Sequence, residues 1–196
     1  MRKLTVRELC IIGLFAAVIS VLSQISIPLP GGVPMTLQTF IIPVVAVVSG
    51  PLLGTLSTCL YLLLGAVGLP VFAGFTGGFG IVLGMTGGFL LSFPFLALMA
   101  GWGDVCGTKA AESAGKLLYY LTLILFLIAA AAVSYTIGVL WFMMVTGSDA
   151  GTAFALAAAP FLPMEAIKIG LCAALSPLLK KALVRARVLV PTRACA

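Results

Sequence analysis

KLLYYLTLILFLIAAAAVSYTIGVLWFMMV, residues 116–145, carries one charge at its first position and none after it. A soluble helix keeps a polar face toward water. This stretch has no such face, so its surroundings are apolar. About 20 apolar residues cross a bilayer. These thirty, at about 1.5 Å each, reach about 45 Å, beyond the roughly 30 Å hydrocarbon core. The helix they predict tilts or projects from the membrane.

The rest of the chain has the same character. Of 196 residues, 62% are hydrophobic and 8% charged, against about a quarter charged in a soluble domain. Eleven Lys and Arg with five Asp and Glu cannot cover a soluble surface. The charges also cluster. Arg2, Lys3, Arg7 and Glu8 open the chain. Asp104, Lys109, Glu112 and Lys116 form a middle group. Lys180, Lys181, Arg185, Arg187 and Arg193 close it.

The intervening apolar stretches predict helices over about 6–26, 36–49, 52–67, 80–102, 116–145 and 163–184. Pro28, Pro30 and Gly31-Gly32 end the first, and Gly50-Pro51 turns the second into the third. A glycine-rich break covers 68–80, and a hydrophilic loop is expected over 103–115. The loop 146–152 leads into a short Ala-rich apolar stretch. The expectation is an all-α integral membrane protein with one six-helix membrane domain over 1–196. No internal repeat is visible, which gives no support to an inverted-repeat architecture.

Six spans put both termini on one side. The N-terminus, the 103–116 segment and the C-terminal tail then hold three, two and five of the cations. The loops 27–35, 68–80 and 146–160 hold none, and their only charge is Asp149. Cytoplasmic loops retain Lys and Arg, so both basic tails, about 1–7 and 185–196, are expected in the cytoplasm. Trp102 and Trp141 are expected near opposite interfaces.

Several function classes lose support. The net charge of +6 flanks apolar segments and forms no basic groove, so nucleic acid is not the expected partner; membrane lipid is. There is no histidine, the usual general base and commonest metal ligand. The five cysteines are odd in number and lack zinc-ligand spacing. No metal, cofactor or catalytic residue is expected. No G-x-x-x-x-G-K-[ST] occurs, so any ATP-driven role needs partner subunits. The basic start and the apolar run 10–22 resemble a signal peptide, but SQISIPLP follows instead of a small-residue cleavage site.

Glu165 and Lys168 are an acidic and a basic residue in the outer half of the last predicted span, apart from the charge clusters at the cytoplasmic helix ends. Burying either charge in lipid costs at least about 2.5–3.5 kcal/mol, and the i, i+3 spacing puts both on one helix face. They form either a self-neutralising pair or a polar floor for a ligand, paired when empty and re-paired when occupied. The stretch GLPVFAGFTGGFGIVLGMTGGF (68–89) contains Gly74-x-x-x-Gly78, Gly80-x-x-x-Gly84 and Gly84-x-x-x-Gly88. Such spacing permits close helix packing. Alternatively, a glycine bend beside a cavity exposes backbone hydrogen-bonding groups. Phe72, Phe75 and Phe79 offer aromatic walls. The stiff loop with Pro28, Pro30, Gly31, Gly32, Val33 and Pro34 is a connection or a lid. Beyond it, Thr36 and Gln38 offer polar groups, Gln38 both donor and acceptor. Gly13-x-x-x-Ala17 makes a small-residue stripe on the first helix, for internal packing or for a partner helix.

The segments VPMTLQTF (33–40), LYLLLGAVGLPVFAG (60–74), TGGFGIVLGMTGGFL (76–90) and PFLPMEAIKIGL (160–171) resemble the BioY family. Those proteins are the biotin-binding S-components of energy-coupling factor (ECF) transporters. The similarity spans essentially the whole membrane region, in order. It implies six helices with cytoplasmic termini in a prokaryotic cell membrane. It implies capture of biotin near the outer face, with a transmembrane T-component and two ABC-type ATPases as partners. Glu165 and Lys168 match the family's acidic-x-x-Lys pair, with glutamate in place of the usual aspartate. Met85 stands where proline is common, and Gly74 where some members carry a polar residue. Gly74, Thr76, Gly77, Gly78 and Thr86 join Gln38, Phe72, Phe79, Glu165 and Lys168 as expected ligand contacts. Gly13 and Ala17 match the stripe that faces the T-component. An S-component for another vitamin, thiamine or riboflavin, is the alternative. An intramembrane enzyme or a purely structural subunit is a more distant reading.

Overall fold

The first helix begins where the sequence supplies a cap. The Thr5 hydroxyl accepts from the Glu8 N–H, and the Glu8 carboxylate accepts from the Thr5 N–H, a reciprocal capping box. The computed structural model describes residues 4–28 and 32–188. Helix α1 covers Val6–Leu22. A small hairpin of β1 (Ser26–Ile27) and β2 (Met35–Thr36) follows, antiparallel, with Ser26 opposite Thr36 and Ile27 opposite Met35. Then come α2 (Gln38–Ser49), α3 (Pro51–Ala66), α4 (Phe79–Leu83), α5 (Gly87–Ala114) and α6 (Lys116–Thr146). Helix α7 (Ala150–Ala157) and a 3-10 turn (Ala159–Phe161) lead into α8 (Leu162–Arg185).

Three expectations need correction. The helix expected over 80–102 is split, α4 ending at Leu83 and α5 beginning at Gly87. The first helix stops at Leu22, and residues 23–28 form a turn and strand. The hydrophilic stretch 103–115 is not a loop. Helix α5 runs through it to Ala114, and only Gly115, with φ of 81°, separates α5 from α6. Lys, Glu and Ala are good helix formers, so the change in polarity does not break the helix.

Helix α5 packs against α2, α3 and α6. Glycines let the backbones approach. A Cβ on Gly54 would come within 2.4 Å of the Ala46 backbone, joining α3 to α2, and one on Gly101 within 2.4 Å of Pro51, joining α5 to α3. The core between them buries Ile42, Val45, Tyr61, Phe93, Leu96 and Leu123. The outer surface is apolar too: Leu63, Val67, Leu125 and Met144 are all exposed. Lipid is the solvent that suits such a surface. Among the described residues, three segments are long and apolar enough to cross a membrane: Gly87–Ser113, Lys116–Thr146 and Ala150–Arg185. Helices α2 and α3 are apolar and shorter.

The described ends of the chain meet. The Arg7 guanidinium donates to the Arg187 carbonyl. Nearby in sequence to that end of α8, Lys180 pairs with Asp104 of α5, and the Tyr119 hydroxyl of α6 donates to Asp104 at 2.9 Å.

Candidate ligand-binding site

The break at 68–78 is a built turn. Gly68, Gly74, Phe75 and Gly78 all have positive φ. The Gly78 N–H donates to the Gly65 carbonyl at 2.7 Å, and the Phe72 N–H to the Thr76 carbonyl at 2.9 Å. Gln24, just past α1, clamps the turn from outside. Its amide N–H groups donate to the carbonyls of Val71 (3.0 Å) and Ser20 (2.9 Å), and its oxygen accepts from the Phe75 N–H at 2.7 Å. The clamp holds Phe75 in a left-handed conformation that costs a non-glycine residue of order 1 kcal/mol or more.

This turn drives Phe72 inward. Its ring is 1% exposed and meets Tyr61 edge-on, with centroids 5.6 Å apart. Phe72 forms one wall of a cavity of about 250 Å³, just below the roughly 300–1,000 Å³ usual for ligand sites. Phe89 and Phe93 of α5 supply the opposing apolar surface, and Gly32, Val33 and Pro34 another side. Lys168 of α8 and Thr36, Gln38 and Thr39 supply the polar part.

Lys168 and Glu165 are 6% and 5% exposed. They are locked to α2 through Thr39. The Thr39 hydroxyl donates to the Glu165 Oε2 at 2.9 Å and accepts from the Lys168 Nζ at 3.0 Å. Lys168 also donates to the Thr36 carbonyl at 2.7 Å and lies 3.7 Å from the Glu165 Oε2. The Tyr135 hydroxyl of α6 donates to the same carboxylate oxygen at 3.3 Å. An ammonium has three N–H donors. Two are used at ordinary hydrogen-bond distance, which leaves the third for Glu165 or for an oxygen in the cavity. Gln38 is occupied at both ends, accepting from the Thr36 hydroxyl at 3.0 Å and donating to Tyr61.

Of the residues expected from sequence, Phe72, Thr76, Thr86, Gln38, Lys168, Gly32, Val33 and Pro34 line the cavity. Glu165 stands behind Lys168, on the wall of an adjoining groove between α6 and α8. Gly74, Gly77 and Gly78 shape the turn and are not on the cavity wall. Phe79 is not an aromatic wall either. It is 64% exposed, because Gly78 at φ 99° turns the chain outward into α4. Phe75 is also exposed. Pro28 is exposed and off the wall, and Pro30 and Gly31 lie outside the described residues. Gly13 and Ala17 are exposed on α1 while Ala16 packs inward, so the stripe faces away from the core. Of the glycine pairs in 80–88, Gly88 packs against Trp141, whose indole N–H donates to the Gly84 carbonyl at 2.9 Å.

Thr39, Tyr135, Phe89, Phe93 and the Gln24 clamp complete the site without being singled out by the sequence. A glutamine at the end of an apolar segment was the one available signal. Among the described residues, no three His, Cys, Asp or Glu come together as a metal site would need. The site can hold a small ligand with an apolar body and an oxygen acceptor for Lys168.

The chain is similar to known proteins in sequence and in fold. The chain is 38% identical over 162 residues to a probable biotin transporter BioY of Pyrococcus horikoshii, covering 83% of this chain and 89% of that one. It is 37% identical over 175 residues to the biotin transporter BioY of Thermotoga maritima, covering 89% and 96%. The fold matches a crystal structure of the S-component for biotin from an ECF-type ABC transporter. That match has a TM-score of 0.78 at 25% identity, covering 91% of this chain and 95% of that one. The BioY family profile matches residues 1–185, and the chain belongs to the BioY family.

Proposed function

We propose that this chain is the biotin-capturing S-component of an ECF-type importer. The observation that carries the reading is the cavity itself: an apolar chamber between Phe72 and Phe93 with one charged side chain, Lys168, on its wall. Biotin has an apolar thiophane ring, a ureido group with two N–H donors and a carbonyl, and a carboxylate on a valerate chain. Lys168 supplies a charge-assisted bond to a ligand oxygen, and Glu165 stabilises the ammonium when the site is empty. The names of the BioY relatives and the biotin S-component fold match support the same ligand.

On this reading α1, α2, α3, α5, α6 and α8 are six spans, with both termini cytoplasmic in a prokaryotic cell membrane. The contact between Arg7 and the Arg187 carbonyl and the partition of cations support a shared side for the termini. The cavity then faces outward. Residues 32–34 and the 68–78 turn form its lid, and Gly13 and Ala17 dock the transmembrane T-component. The sequence holds no G-x-x-x-x-G-K-[ST], so two partner ATPases supply the energy.

The test is mass spectrometry of small molecules released from detergent-purified protein, with labelled biotin binding to the same sample. Stoichiometric biotin is expected. Absence of binding after stripping and reloading refutes the assignment, and binding of thiamine or riboflavin instead redirects it.

A further inference from the structure

A second cavity, of about 550 Å³, lies between the C-terminal part of α5, the start of α6 and the end of α8. It is remote from the first. Lys180 is twelve residues beyond Lys168 on α8, about 18 Å along the helix.

Four cations line this cleft: Lys116, Lys180, Lys181 and Arg185. Its one lining carboxylate, Asp104, is 2% exposed and already committed. Lys180 pairs with it, and Tyr119 donates to it at 2.9 Å. These contacts tie the three helices together around the cleft. Lys116, Lys181 and Arg185 are exposed, and none pairs with a carboxylate among the described residues. Lys181 and Arg185 are four residues apart, on one face of α8. The rest of the lining includes Val105, Tyr120, Pro177 and Val184.

Topology requires only that cations lie on the cytoplasmic side. It does not require three of them to converge, unpaired, on one apolar-walled cleft between helices. Basic pockets between membrane helices suit lipid headgroups. We propose that this cleft binds the phosphate of an anionic phospholipid. Lys116, Lys181 and Arg185 hold the phosphate oxygens, and the apolar wall takes the start of an acyl chain. An acidic face of a soluble partner would satisfy the cations and leave that apolar wall uncovered, so the lipid fits better. The inference draws on the six-span reading only to assign the cleft to the cytoplasmic leaflet.

The test uses the full chain, delipidated in dodecyl maltoside and titrated with dioleoylphosphatidylglycerol, dioleoylphosphatidylcholine or inorganic phosphate. Retained adducts are read by native mass spectrometry. One phosphatidylglycerol is expected to be retained in preference to phosphatidylcholine. The double variant Lys181→Ala/Arg185→Ala is expected to weaken it roughly 30-fold, while the charge-keeping Lys181→Arg/Arg185→Lys retains it. Biotin binding by the same samples reports folding and tests the transport reading separately. Equal retention of the two lipids, or unchanged retention in the alanine variant, overturns the proposal. Displacement of phosphatidylglycerol by an equal concentration of inorganic phosphate assigns the cleft to a soluble anion and overturns the lipid.

Discussion

Replacing Lys168 with methionine removes the one charged side chain on the cavity wall while keeping most of its length. Two consequences follow from the contacts described. Glu165, 5% exposed, loses its cation and keeps only the Thr39 and Tyr135 hydroxyls. A buried charge stripped of its partner costs about 3–5 kcal/mol, so the single variant unfolds more readily. The double variant Glu165→Gln/Lys168→Met removes both charges and avoids that penalty. In either background the ligand loses its bond from a charged donor, worth about 1.5–3 kcal/mol net. Biotin affinity should fall about 10- to 150-fold. Isothermal titration calorimetry of the double variant, with a thermal melt of the same sample, measures both quantities. A folded double variant that binds biotin within threefold of the parent would refute the role given to Lys168.

Two further outcomes test the frame of the site. Gly65→Ala places a Cβ within 2.2 Å of the Phe72 ring; overpacking of this kind costs about 1–3 kcal/mol. Its melting temperature and biotin affinity should both drop, and Phe72→Leu in the same chain should recover the stability; an unchanged melt contradicts the packing described. Asp149 caps α7, accepting from the Thr152 N–H and hydroxyl, and these bonds hold its carboxyl below the usual range. A lowered folded value gives stability that is present above the unfolded value, near pH 4, and lost as pH falls through the folded one. Asp149→Ala should therefore melt earlier at pH 7 and converge with the parent on acidification; a pH-independent difference would show that the carboxylate is not what matters.

The elements that sequence located best were those with an all-or-none signature. Glu165 and Lys168 stand out because a charge in an apolar helix needs a reason. Thr39 and Tyr135 did not stand out, because a hydroxyl in such a helix usually has a local partner. Ser20, Ser23, Ser49, Thr55, Ser57 and Thr58 all donate to the carbonyl four residues back. Nothing local distinguishes Thr39, whose partners lie on α8. The aromatic wall was misplaced for a similar reason. Phe72 and Phe79 share one glycine-rich stretch, and the bonds of the 68–78 turn that bury the first and expose the second come from Gly65 and Gln24, outside that stretch. The 103–115 segment shows the limit of reading polarity as structure, since a helix leaves an apolar environment without unwinding.

Among the described residues, no buried side-chain nitrogen or oxygen lacks a hydrogen-bond partner, and that includes the floor of the cavity. Thr39 makes this possible by serving the cation and the carboxylate at once. The floor is thus a closed circuit, in which neither the cation nor the carboxylate stands alone. On the proposed function, a ligand oxygen at Lys168 accepts a bond from the ammonium N–H that otherwise faces Glu165. Its departure restores the original circuit. A carrier has to let go as well as hold, and a cation with its own carboxylate beside it makes release a return to rest.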